Sequence, residues 1–62
     1  MGLKPIIDEL RRRGLPVVAY GAERDKYAIT FQLRDCAAKY TARIPAREAT
    51  PDEFERWYRI VA

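Results

Sequence analysis

The sequence of 62 residues contains no histidine and a single cysteine. The lack of histidine removes the most common general base near neutral pH and the most common nitrogen ligand of metal ions. The lone Cys36 cannot form a disulfide within the chain, and a catalytic thiolate there would need an activating base that the neighbouring sequence does not supply. We therefore expect no catalytic residues, no metal site, no cofactor and no enzymatic activity.

The sequence also lacks a long hydrophobic run. Its first apolar stretch, residues 3–10, is interrupted by Pro5, Asp8 and Glu9. We therefore expect neither a secretory signal peptide nor a membrane-spanning segment. The unpaired cysteine fits a reducing compartment, which predicts a cytoplasmic protein. No repeat or linker divides the chain, so we assign residues 1–62 to one small domain.

Large apolar side chains are few. Nine of the hydrophobic residues are alanine, and only fifteen are Val, Ile, Leu, Phe or Trp. A chain of this size buries only about 60% of the surface that its unfolded form exposes. We expect marginal stability, which makes association with a partner or with a second copy an additional source of stabilisation.

Residues 4–13 are predicted to form the first helix. Pro5 suits the first turn of a helix. The helix carries three apolar residues at the spacing of one face: Ile6, Ile7 and Leu10. Gly14 is placed where a left-handed cap ends a helix, and Pro16 prevents continuation.

Three strands are predicted after this helix. Residues 17–20 form a short β-prone run that ends at Gly21, followed by a polar connection. Residues 27–34 alternate apolar and polar side chains over eight positions, and residues 39–44 alternate again. A turn around Asp35-Cys36-Ala37-Ala38 joins these two runs.

The segment Thr50-Pro51-Asp52-Glu53 predicts the start of a second helix. It is a capping box, in which the threonine hydroxyl accepts the backbone N–H of the glutamate. An apolar stripe follows at helical spacing, formed by Phe54, Trp57, Tyr58 and Val61. On the outer face we expect two ion pairs, Asp52 with Arg56 and Glu55 with Arg59.

The predicted fold class is therefore α+β, in the order αβββα. Each helix carries one apolar stripe and the sheet has one apolar face, so the N-terminal and C-terminal helices are expected on one face of a three-stranded antiparallel sheet. That face is predicted to carry Tyr27, Ile29, Phe31, Leu33, Tyr40, Ala42 and Ile44. Trp57 is expected in the same core, and the other face of the sheet is left open to solvent.

This open face is the leading candidate for partner binding. The alternation predicts that it carries three cations, no anion and several hydrogen-bonding groups, namely Thr30, Gln32, Arg34, Lys39, Thr41 and Arg43. Such a face can meet phosphates or an acidic protein surface. The alternative is an ordinary solvated hairpin face, on which Lys and Arg also discourage edge aggregation.

Four further residues are candidates for partner contacts. Arg11, Arg12 and Arg13 lie in the last turn of the first helix, where cations favourably meet the helix dipole; a phosphate-binding cluster is the alternative. Tyr20 can stack on a base or anchor a protein interface. Charge is uneven along the chain, because residues 1–47 carry ten Lys and Arg against five Asp and Glu, whereas residues 48–62 carry two against four.

The order of elements, with Gly14 after the first helix, Gly21 after the first strand and Pro45 after the third, resembles the HicA-type ribonuclease toxins and the double-stranded RNA-binding domain. The HicA resemblance covers nearly the whole chain and implies an RNA-binding or ribonuclease protein. Where that family has Ser-His, this chain has Ala22-Glu23, so the catalytic histidine is missing. The RNA-binding domain has a lysine cluster at the start of its last helix, where this chain has Thr50-Pro51-Asp52-Glu53.

These features predict a small non-enzymatic regulator or inhibitor that engages an acidic partner, protein or nucleic acid, through a basic sheet face or a strand edge. The net charge of +3 is small for a dedicated nucleic-acid binder. Two alternatives stay open, a divergent HicA-like RNA-binding or ribonuclease toxin, and a structural subunit or homodimer.

Overall fold

A computed structural model describes residues 2–34 and 37–62. The elements are α1 (Leu3–Arg12), β1 (Val17–Glu23), β2 (Lys26–Gln32), β3 (Lys39–Pro45), a short 3-10 helix (Ala46–Glu48) and α2 (Pro51–Val61). The strands form one antiparallel sheet in the order β1-β2-β3, so β2 is central and the other two are edges. The predicted αβββα fold is confirmed. Of the turn predicted at residues 35–38, Asp35 and Cys36 lie outside the described residues, and Ala37 lies in a turn.

Both helices cover the same face of the sheet. α1 packs on β1, α2 packs on β3, and the helices contact each other. The largest fully buried side chains come from α1, β2 and α2: Ile6, Ile7, Leu10, Ile29, Phe31 and Phe54. Tyr27 and Tyr40 pack against this cluster as expected and are partly buried.

α1 ends through the glycine cap that the sequence predicts. Gly14 adopts a φ of 84°, a conformation that other residues rarely adopt. Its N–H donates to the Arg11 carbonyl at 3.0 Å, and the Leu15 N–H donates to the Leu10 carbonyl at 3.1 Å. These two bonds form a Schellman motif, and the burial of Leu10 and Leu15 supplies its hydrophobic contact.

β1 is longer than predicted. The strand continues through Gly21 to Glu23, which pairs with Lys26, so the hairpin loop consists of Arg24 and Asp25 alone. The polar residues after Gly21 suggested a long loop, but an edge strand with one open face accommodates polar side chains. Arg24 takes the positive φ that this tight loop requires, with a value of 55°.

β2 is shorter than predicted at its C-terminal end. The strand stops at Gln32, whereas the alternation extended to Arg34. The Leu33 N–H still donates to the Ala38 carbonyl at 3.1 Å, but Arg34 already lies in a bend. The alternation of apolar and polar residues therefore continues two positions beyond the end of the strand.

α2 begins as predicted. The Thr50 hydroxyl accepts the Glu53 N–H at 3.1 Å. Of the two expected ion pairs, Glu55 with Arg59 is confirmed at 3.2 Å. The other is wrong, because Arg56 binds Glu53 at 3.2 Å while the Asp52 carboxylate turns towards α1.

The expectation that Trp57 lies in the core is wrong. Phe54 is fully buried, and the Tyr58 ring packs against Phe31 in a tilted arrangement with 5.0 Å between ring centroids. Trp57, in contrast, is 43% exposed. α2 lies over β3, the edge strand, so only the part of the helix above the sheet is covered. The flank that bears Trp57 is therefore left partly in solvent.

Candidate functional site

The candidate site is the sheet face opposite the helices, here called the open face. The cross-strand register brings Thr30 opposite Thr41, Gln32 opposite Lys39 and Ala28 opposite Arg43. The side chains of one face alternate with those of the other along each strand. The open face therefore carries Ala19, Gly21, Glu23, Lys26, Ala28, Thr30, Gln32, Lys39, Thr41 and Arg43.

The polar groups at the centre of the open face form hydrogen bonds within the protein. The hydroxyl oxygens of Thr30 and Thr41 are 2.8 Å apart. The Gln32 amide donates from Nε2 to the Ala38 carbonyl at 2.8 Å, which helps to close the loop between β2 and β3. The structure thus places these three predicted site residues together and gives Gln32 a structural role in addition.

The prediction of an open face without an anion is wrong. Because β1 continues to Glu23, this carboxylate lies on the open face, where it accepts a hydrogen bond from Arg43 Nε at 3.0 Å. Both side chains are about half exposed. The face also gains Lys26, so its cations are Lys26, Lys39 and the paired Arg43.

Small residues make the β1 side of the open face concave. Ala19, Gly21 and Ala28 leave a shallow depression of about 230 Å³, bordered by the Glu23–Arg43 pair. This hollow is too open to enclose a small molecule, but it can receive one side chain of a partner. A carboxylate placed there would lie beside the Arg43 guanidinium.

Arg34 is exposed, but the structure does not place it in phase with the open face. The alternation through Thr30 and Gln32 predicts that Arg34 points to the open face. That alternation of side-chain direction ends with β2 at Gln32, two residues earlier.

Tyr20 does not belong to the open face. A bulge between Val17 and Ala19 shifts the register of β1, so Tyr20 pairs with Ile29 and faces the helices. The Arg11 guanidinium lies over its ring, 5.6 Å from the centroid. Tyr20 remains 46% exposed, so it lines the surface beside α1.

The three arginines at the end of α1 all have partners within the protein. Arg12 Nη2 donates to Glu9 at 2.6 Å, and Arg13 Nε donates to the same carboxylate at 2.8 Å. Arg13 Nη1 also donates to Asp52 and Glu55 of α2. These bonds lower the pKa of Glu9 and raise the pKa of Arg13. In this structure the cluster joins two helices, and Arg11 covers Tyr20.

Sequence reasoning missed a second surface, the apolar flank of α2 formed by Trp57, Ile60 and Val61. These residues are 43%, 65% and 43% exposed. Trp57 borders a groove of about 120 Å³ beside Tyr40, Ala42 and Ile44 of β3. The apolar residues of α2 cover more of the helix circumference than one buried stripe requires. This excess of apolar residues is the sequence signal that could have predicted an exposed apolar flank.

Comparison of the chain with protein-family models, with curated protein sequences and with solved structures finds no match. Among residues 2–34 and 37–62, no group of three or more His, Cys, Asp or Glu side chains is arranged to hold a metal ion. Within those same ranges, no helix has the length and apolar character needed to cross a membrane.

Proposed function

We propose that this protein acts by binding, as a small non-enzymatic regulator or inhibitor whose open face engages an acidic protein surface. The observation that carries this proposal is the charge of that face. It presents Lys26, Lys39 and Arg43 against a single carboxylate, Glu23, among the described residues.

The composition of the open face favours a protein over a nucleic acid. Proteins that bind single-stranded nucleic acids combine a positively charged groove with aromatic side chains on which bases stack. The open face carries no aromatic side chain among the described residues, because Tyr20 and Tyr40 both face the helices. Glu23 lies within the cationic patch and would repel phosphates, whereas a protein surface can place a basic group beside it.

The geometry suggests how an acidic partner is held. A partner carboxylate in the hollow beside Arg43 can share the guanidinium with Glu23, since Arg43 donates to Glu23 through Nε. Lys26 and Lys39 lie at opposite ends of the β2–β3 ladder and are both exposed. Charges placed in this way mainly speed encounter and orient the partner, so association should weaken as salt is raised.

The proposal is tested by capture from a cell extract with immobilised protein, with and without nuclease treatment. The open-face variant is Lys26→Glu with Lys39→Glu, which leaves the Glu23–Arg43 pair in place. The control is Lys4→Glu with Arg59→Glu, which makes the same change of charge at exposed helical positions. Circular dichroism establishes that both variants are folded.

We expect that the wild type and the control variant capture a partner protein whether or not the extract is treated with nuclease. The open-face variant should not capture this partner. Its association rate should fall as salt is raised. A partner that the open-face variant retains would exclude this face as the interface. A partner captured only in the absence of nuclease would favour the nucleic-acid alternative.

A further inference from the structure

The outer edge of β3 presents unpaired backbone groups. On β2, the Gln32 N–H donates to the Pro16 carbonyl on the β1 side, and the Leu33 N–H donates to the Ala38 carbonyl on the β3 side. Backbone groups alternate in direction along an antiparallel strand. Even-numbered residues of β3 therefore bond to β2, and the N–H and C=O groups of Lys39, Thr41 and Arg43 point away from the sheet.

Pro45 fits this assignment. It occupies an outward position of β3, where its lack of an N–H costs the sheet no hydrogen bond. The outer edge of β3 is therefore a strand edge whose central donors and acceptors have no partner strand among residues 2–34 and 37–62.

The apolar flank of α2 lies beside this same edge. Arg13 of α1 binds Asp52 and Glu55, so those residues mark the side of α2 that faces α1. Helical periodicity places Trp57 and Ile60 on the opposite side. Trp57 contacts the groove along Tyr40, Ala42 and Ile44 of β3, so a strand edge and an apolar surface lie next to each other.

We propose that a second copy of this chain covers this surface, with β3 pairing antiparallel to β3 of the other copy about a two-fold axis at Ala42. The two three-stranded sheets would join into one sheet of six strands. The two α2 flanks, Trp57, Ile60 and Val61, would pack against each other above it. This inference does not depend on the proposed function.

Repulsion between like charges selects this register among the axes near the middle of β3. A two-fold axis at Thr41 would set Lys39 of one copy opposite Arg43 of the other, and an axis at Arg43 would set the two arginines against each other. Like charges directly opposite each other destabilise a strand pair. An axis at Ala42 places Arg43 opposite Thr41 and Lys39 opposite Pro45, so no like charges lie directly opposite each other.

The position of Trp57 agrees with the same axis. On β3 its groove is lined by Tyr40, Ala42, Arg43 and Ile44, so it lies over the middle of the strand. A two-fold axis at Ala42 therefore brings the two Trp57 side chains close to each other across the interface. Axes nearer the ends of β3 would pair fewer residues and would separate the two tryptophans.

The assembly would close as a dimer. An interface around a two-fold axis uses the same patch on both copies and leaves no second patch of that kind exposed. The remaining edges of the six-stranded sheet would be the two β1 strands, each with the bulge between Val17 and Ala19. Bulges of this kind discourage further strand addition.

The first test measures molar mass by sedimentation equilibrium over a concentration range of about a hundredfold. The wild type should rise from 7.2 kDa towards twice that mass. Trp57→Glu, checked for folding by circular dichroism, should stay at the mass of one chain. The matched control Val18→Glu changes an exposed apolar residue of the other edge strand and should associate like the wild type. A wild type that stays at one chain at every concentration would overturn the proposal.

The second test examines the register and does not depend on Trp57. Thr41→Glu should tighten dimerisation by about fivefold, because the Ala42 axis places each new carboxylate opposite Arg43 of the other copy. Hydrogen exchange of the Thr41 and Arg43 amides should slow as the protein concentration rises. Weaker dimerisation of Thr41→Glu, or amides whose exchange is independent of concentration, would show that this edge is not the interface.

Discussion

Arg13 at the end of α1 donates from Nη1 to the Glu55 carboxylate of α2 at 2.9 Å, although 42 positions separate the two residues. The same nitrogen donates to Asp52 at 2.8 Å, and Nε donates to Glu9. The cation lies at the C-terminal end of one helix and Asp52 lies at the N-terminal end of the other, which suits both helix dipoles. A single guanidinium thus links the two helices, in addition to the contacts between them.

Arg13→Gln should lower the midpoint of thermal unfolding more than Arg12→Gln does. Arg13 connects two helices, whereas Arg12 donates its hydrogen bonds to Glu9 within its own helix, and the Arg12 side chain is 75% exposed. Both variants remove one positive charge, so Arg12→Gln controls for net charge. Melting curves followed by circular dichroism measure the difference; equal losses would show that the link to α2 does not contribute.

Glu9 predicts a dependence of stability on pH. A hydrogen bond from Arg12 makes the largest contribution to lowering the pKa of Glu9 below the usual 4.5, and a hydrogen bond from Arg13 makes the second largest. The unfolded chain therefore takes up this proton at a higher pH than the folded protein does. The stabilisation is complete above pH 4.5 and is lost as the pH falls through the folded-state pKa. Unfolding midpoints of the wild type and of Glu9→Gln should differ at neutral pH and converge in acid, and parallel curves would contradict this.

Phe31→Ala and Trp57→Ala should differ strongly in stability. Phe31 is fully buried, so its truncation should cost about 3–5 kcal/mol, which is close to the whole stability of a domain this small. Trp57 is 43% exposed, and its truncation should cost about 1 kcal/mol or less. Urea unfolding of dilute samples checks both values. A similar cost for the two variants would place Trp57 in the core after all.

Thr50→Ala should destabilise the protein by about 1 kcal/mol, because it removes the hydroxyl that accepts the Glu53 N–H. Thr50→Ser keeps a hydroxyl at the same position and should have little effect. Urea unfolding of the two variants separates loss of the cap from loss of the methyl group. Equal destabilisation by Ser and Ala would mean that the cap is not what stabilises α2.

Arg24→Gly should stabilise the protein by about 0.5–1 kcal/mol. Arg24 holds a φ of 55°, a conformation that glycine adopts without steric cost. Arg24→Val should destabilise it, because a β-branched side chain fits this conformation worst. The free energy of unfolding, measured in denaturant, should be highest for Arg24→Gly, intermediate for the wild type and lowest for Arg24→Val. If valine were tolerated as well as glycine, the loop would not hold the conformation described here.

The sequence predicted the fold because its strongest signals are local. The end of α1 depends on Gly14, and the start of α2 depends on Thr50 and Glu53, which lie three positions apart. The alternation of β2 and β3 assigned Ile29 and Phe31 to the core and Thr30 and Thr41 to the open face. Each of these signals acts within one element, so no knowledge of distant residues was needed.

The tertiary structure alone decided the features that depend on contacts between elements. The bulge in β1 turned Tyr20 towards the helices, and the pairing of β1 with β2 brought Glu23 onto the open face beside Arg43. Trp57 is exposed because α2 lies over an edge strand, which leaves one flank of the helix without cover. Helical spacing establishes which residues share a flank, but only the position of the helix over the sheet determines which flank is buried.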